Sequence, residues 1–339
     1  MTDNIIKENS TLDSETETNT KINQSATNPF GLLHANASSA AYVFYLKACF
    51  TVWLVHFLLN PIQSLSELPL EYAVAIGWLA ILPEFVLTAI CSFAGLLTIR
   101  LMIITACIGV WFGKTRFIST VIGTILITTI CALTRGFGHI NHAEIGPLLV
   151  TWVLMLFLWR MPRSTIQSPS HEPNSTCAAG VVCATIVFTL VYAFVGIARL
   201  VSGGMTVLAG DSITNHLLRA QHSDWILSFD ASSIVLASPI LLLLLKLGTV
   251  AVSIVELSAP LSLVNRRIRL LMLSVMPGFH LGAMLLFKVF FIEQLFFMVL
   301  LLNVTPWLAK CTSRPSARSH VKQSSKKTAS FKHGVGHTG

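Results

Sequence analysis

Between Ala40 and Trp307, polar breaks divide the chain into apolar stretches of roughly 17 to 25 residues, the length a helix needs to cross a hydrocarbon layer. Hydrocarbon gives the backbone no hydrogen-bonding partner, so a segment inside it closes its own amides as a helix or joins a closed barrel. The alternation of a barrel strand is absent, which leaves an all-α, polytopic integral membrane bundle. Composition agrees: 53% of the 339 residues are apolar and 11% are charged. Soluble domains carry about a quarter of their residues as charges, so an ordinary cytosolic globule is excluded.

Nine transmembrane helices are predicted. They lie near 40–59, 72–94, 98–113, 117–134, 144–161, 176–198 and 231–256, with two more in 270–309 that turn near Lys288. Asn60-Pro61 ends the first. Gly95 and Thr98-Ile99-Arg100 are the natural turn inside the long block 72–112. Short basic loops at Lys114/Arg116, Arg160/Arg163 and Arg266/Arg267/Arg269 fall on one side of such a bundle. The positive-inside bias assigns that side, and the C-terminus, to the cytoplasm. The localisation expected is a bacterial inner or plasma membrane.

The two tails are polar. Residues 1–39 carry five acids and two lysines before Phe30, and residues 310–339 carry seven basic residues and no acid. Both compositions bury little apolar surface and predict disorder. The basic tail accounts for most of the net charge of +8. It has no aromatic interleaving for stacking on bases, so nucleic acid is not an expected partner. The seven cysteines form no Cys-x-x-Cys pair, which argues against a zinc knot or redox couple and leaves a single bridge open.

Ionisable residues inside apolar runs are the functional signal, because an unpaired charge facing lipid costs several kcal/mol. Lys47, Glu84, Lys246, Glu256, Lys288 and Glu293 are therefore expected to face the bundle interior, a cavity or a partner. Near helix ends the alternative is a lysine reaching to the headgroups. Glu256, four residues before Pro260, fits either a boundary ion pair with the arginines at 266–269 or a site role. In Arg135 to Glu144, His142 and Glu144 suit a proton or substrate role, a weak metal site, or a cap on the next helix. Arg199, followed by Ser202-Gly203-Gly204 and Gly210-Asp211, can clamp an anionic or carbonyl group, with Asp211, His216, His222 and Asp224 at the same entrance. His280, within Pro277-Gly278-Phe279-His280-Leu281-Gly282, offers a hydrogen bond or a proton in an apolar helix, and is equally well read as a packed histidine.

Several of these segments carry a family likeness. Gly95-Leu96-Leu97-Thr98-Ile99-Arg100, Asn141-His142-Ala143-Glu144, Tyr192 to Leu217, Glu256-Leu257-Ser258-Ala259-Pro260-Leu261 and Phe279-His280-Leu281-Gly282 occur in an order that resembles the horizontally transferred transmembrane family. That family comprises bacterial relatives of the vitamin K-dependent gamma-carboxylase, within a superfamily that includes quinone-linked DoxX-type proteins. The resemblance implies a quinone as possible cofactor. It also implies a base at the position of Arg199, where the carboxylase has lysine. Arginine stays protonated and is a poor proton acceptor, so full carboxylase chemistry does not carry over. Other bacterial members resemble a membrane protein needed to mature a sporulation-delaying peptide toxin.

Three functions follow as expectations. The first is an intramembrane enzyme acting on a quinone, lipid or membrane-presented peptide. Its candidate catalytic residues are Arg199, His280, Glu256, His142 and Glu144, and its candidate cofactor-binding residues are Arg199, His216 and Asp211. The second is a non-enzymatic membrane component for peptide maturation, export or immunity, working with a small membrane or secreted partner protein. The third is a transporter, for which the sequence shows no inverted repeat. Membrane lipids are partners in all three.

Overall fold

The computed structural model describes residues 37–60, 62–69, 74–137, 144–203, 211–221, 230–289 and 291–304. Among them the chain is all-helical, with one isolated bridge between Ser38 and Pro173. The helices are α1 (Ser39–Leu59), α2 (Glu84–Cys91), α3 (Phe93–Gly109), α4 (Arg116–Gly136), α5 (Ile145–Trp159), α6 (Arg163–Gln167), α7 (Ser175–Ala198), α8 (Ser212–Gln221), α9 (Ala231–Ala237), α10 (Pro239–Leu257), α11 (Arg266–Phe287) and α12 (Ile292–Val299). Most of both expected tails lies outside the described residues.

Helix starts follow from local chemistry. Ser38, Ser92, Asn174, Asp230, Ser238 and Asn265 each place a side-chain oxygen on a backbone amide of the first turn, satisfying donors that have no partner within the helix. Asp230 lies at the head of the short helix α9. The hydroxyls of Ser232 and then Ser233 donate to its carboxylate and hold it below the usual aspartate range.

Five helices are long and apolar enough to cross a membrane, α1, α4, α7 (extended to Val201), α10 and α11, or six if α2 and α3 form one broken span. Among the described residues the expected nine are therefore not reached by length and composition. The 15 residues of α5 span about 22 Å at 1.5 Å each, less than a hydrocarbon layer of about 30 Å. The turn expected at Gly95 to Arg100 lies earlier. The chain bends by 72° between α2 and α3, at Ser92, and Thr98, Ile99 and Arg100 continue inside α3. Gly95 permits the bend, because a Cβ there would stand 2.1 Å from the Ala89 carbonyl oxygen. The expected seventh span divides at Ser238 into α9 and α10, where Pro239 opens the second helix. The basic segment from Arg266 is likewise no loop: Asn265 caps it and it forms the first turn of α11. The turn expected near Lys288 is present, with Lys288 in left-handed backbone (φ 55°).

α1 is the central element, touching α3, α5, α7 and α12. Its Tyr42, Tyr45, Phe50, Trp53 and Phe57 are all fully buried. The Trp53 indole donates to Thr151 of α5 (3.0 Å), and the Trp152 indole to Thr128 of α4 (2.9 Å). At one end of this bundle, the strand-like segment before α7 straps α1 in place. Ala40 N–H donates to the Ser170 carbonyl, and Asn174 N–H to the Ala37 carbonyl. Arg116 of α4 closes the same end by donating to the carbonyls of Val110 and Ile166. α10 and α11 are different. Half of the apolar window of α1 is buried, against 17% and 22% for theirs.

Candidate functional site

The C-terminal ends of α7 and α10 meet at Gly196. A Cβ there would lie 2.7 Å from the Ser253 carbonyl oxygen and 2.8 Å from the Leu257 nitrogen, so only glycine permits this approach. It brings Arg199, where α7 loosens into a π-turn (Arg199–Gly203), against Glu256. Arg199 Nη1 donates to Glu256 Oε2 at 2.6 Å, with the two side chains 32% and 2% exposed. The Arg199 guanidinium also lies over the Phe279 ring of α11, 5.2 Å from its centre.

About two turns back from Arg199 along α7, the Tyr192 hydroxyl sits 3.2 Å from His280 Nε2 on α11. The Phe291 ring lies 5.1 Å from the imidazole, centre to centre. His280 is 5% exposed, and its Nδ1 has no hydrogen-bond partner among the described residues. Either tautomer leaves that nitrogen unanswered, and a buried unpaired polar atom costs about 1–3 kcal/mol. A Cβ at Gly278 or Gly282 would meet nothing within 4 Å, so no described helix packs closely against either glycine.

Three of the sequence candidates, Arg199, Glu256 and His280, thus gather on α7, α10 and α11. The partner of Glu256 is Arg199, in place of the arginines at 266–269. Asp211 and His216 are exposed on or beside α8, and the His216 ring lies against Phe287 rather than Arg199. His142, His222 and Asp224 lie outside the described residues. Glu84 is exposed in the first turn of α2 and so does not face the bundle interior, one of the three positions expected of it. There it meets the positive end of the helix dipole, which answers its charge without a partner helix. Lys47 is paired with an aromatic face, 5.0 Å over the Trp111 ring.

Glu144 belongs to a second cluster. It occupies the residue before α5 but makes no side-chain cap. Its carboxylate lies 3.8 Å from His56 Nε2, while His56 Nδ1 is 2.7 Å from Glu293 Oε1. Glu293 stands out in the sequence as an acid in an apolar run. His56, the residue that joins the two acids, does not, because a histidine one turn before Asn60-Pro61 reads as a boundary residue.

Among the described residues no group of three or more histidines, cysteines and acids has the geometry to hold a metal ion. Six cysteines there are free thiols, five of them buried. No family model, curated protein or solved structure matches the chain.

Proposed function

We propose that the chain is an integral membrane protein that binds the polar head of a membrane-soluble molecule at Arg199, Glu256, Tyr192 and His280. The observation that carries this reading is the unanswered Nδ1 of His280, buried beside an ion pair. Glu256 offsets the charge of Arg199, so the site favours a head that takes directional hydrogen bonds over a free anion. Phe279 and Phe291 give a flat ring or an acyl chain apolar surface. A quinone, a lipid, or a peptide presented from the membrane meets these demands. The resemblance to the horizontally transferred transmembrane family supports the same class of ligand. An enzyme built here takes its proton acceptor from His280 or Glu256, since Arg199 stays protonated.

In this reading the bundle makes several crossings of a bacterial inner membrane, with the start of α1 on the same side as Arg116. α5 and α12 complete two of them together with neighbouring segments. The end bearing Lys114, Arg116, Arg160 and Arg163 faces the cytoplasm, as does the C-terminus.

Mass spectrometry of protein purified in mild detergent tests the proposal. Wild type is expected to retain a quinone, lipid or peptide that Arg199→Ala and His280→Ala lose while keeping their helix content. An empty wild type, or equal retention by both variants, overturns it. A second reading, a non-enzymatic component for peptide maturation, export or immunity, draws on the largely unburied faces of α10 and α11. It requires that a small membrane or secreted protein crosslink to those two helices.

A further inference from the structure

The Tyr192 hydroxyl and the His280 imidazole meet inside the protein at 3.2 Å, oxygen to Nε2, with the two residues 3% and 5% exposed. Among the described residues neither side chain has a second hydrogen-bond partner. No carboxylate there is in contact with the ring, so an imidazolium would be a stranded buried cation. His280 is therefore a neutral imidazole with a single N–H.

Two arrangements make the contact. In the first, Nε2–H donates to the phenol oxygen, a weak acceptor because its lone pairs are drawn into the aromatic ring. The phenolic O–H and the bare Nδ1, a good donor and a good acceptor, are then both left unanswered. In the second, the phenolic O–H donates to a bare Nε2, and the proton of the imidazole stands on Nδ1. This joins the better donor to the better acceptor and leaves one strong group, the Nδ1–H, without a partner. A strong polar group buried unanswered keeps its full desolvation penalty, so the second arrangement is the favoured one.

We infer that Tyr192 is a positioning residue that holds His280 with its proton on Nδ1, so that the site offers an N–H and its ligand carries a neutral acceptor oxygen, such as a carbonyl, in its head. The acceptor head rests on the ligand reading above and narrows it. Arg199, whose guanidinium lies over the ring of Phe279 beside His280, offers donors only. Both groups therefore ask the head for an acceptor. A head that only donates finds Glu256, whose Oε2 already accepts from Arg199 at 2.6 Å. The bare nitrogen of His280 is turned to Tyr192, which leaves Glu256 as the proton acceptor of an enzyme built here.

Magic-angle-spinning NMR of full-length protein carrying isotope-labelled histidine reads the tautomer, with His280→Gln identifying the signals. The protein is sedimented from dodecyl maltoside, which holds no carbonyl. Wild type without added ligand is expected to show Nδ1 protonated and Nε2 bare. Tyr192→Phe keeps the aromatic ring and loses only the hydroxyl, and is expected to lower the ratio of Nδ1–H to Nε2–H by about tenfold. Wild type protonated on Nε2 or on both nitrogens overturns the proposal. So does an unmoved ratio in Tyr192→Phe, which would make the phenol a packing group. Methyl oleate, which only accepts, is then compared with an alkylpyrrole of the same chain length, which only donates. The ester is expected to shift the Nδ1 signal of wild type and the pyrrole to leave it in place; the reverse overturns the acceptor head. A response to neither fails the ligand reading and the acceptor head with it, while the tautomer measured without ligand is decided separately.

Discussion

Among the described residues two clusters of ionisable side chains stand out, and they meet the same electrostatic problem in different ways. At Arg199–Glu256 one base meets one acid at 2.6 Å, and the charge is balanced whatever else binds there. At His56, two acids flank one histidine, at 2.7 Å and 3.8 Å. The first cluster is charged on both sides and unfinished in its hydrogen bonding, because His280 beside it keeps a free nitrogen. The second has every ring nitrogen faced by an acceptor and is unfinished in its charge. One is therefore suited to hold a molecule and the other to join three helix ends.

Removing one partner of each cluster tests this contrast most strongly. Arg199→Ala leaves Glu256 buried without its cation, and is expected to cost about 3 kcal/mol, read as a lowered Tm of the detergent-solubilised protein. The double variant Arg199→Met with Glu256→Gln should recover part of that loss, since no charge is left stranded. Equal destabilisation by both would mean that packing, not the ion pair, holds α7 against α10. Gly196→Ala at the same junction forces the two backbones apart and should cost about 1–3 kcal/mol. It should also abolish retention of any ligand that Arg199→Ala releases.

At the other cluster the effects are smaller and graded by distance. Glu293→Ala should lower stability by about 1–2 kcal/mol, and Glu144→Ala by less, because its contact with His56 is 3.8 Å against 2.7 Å. The reverse order would mean that Glu144 is the principal partner of His56. The smallest effect lies outside both clusters and serves as a control. The Asp230 carboxylate, held low by the Ser232 and Ser233 hydroxyls, supports α9 fully above the ordinary aspartate range. That support is lost as pH falls through its depressed folded value. Asp230→Asn should flatten any acid-side stability change confined to α9.

The helical class was legible in the sequence because lipid imposes it on any long apolar run. The number of crossings was less so, since the decisive breaks at Ser92 and Ser238 are single capping serines inside otherwise apolar text. Arg199, Glu256 and His280 were visible for the same reason as the class: a polar group in an apolar run has to be answered. Which group answers was not visible. Glu256 lies near three arginines in sequence but pairs with Arg199 across 57 positions, through an approach that depends on Gly196 lacking a Cβ. His56 stayed hidden because its meaning comes from two acids 88 and 237 residues away.

The strap that joins Ala37 and Ala40 to Asn174 and Ser170 is made of backbone bonds that no change of pH can loosen. At the far tip of α1, by contrast, the fastening is an imidazole between carboxylates. The two ends of α1 are thus fastened by different chemistry, one by backbone amides and the other by side chains. A single side-chain substitution can therefore undo the second fastening and leave the first intact.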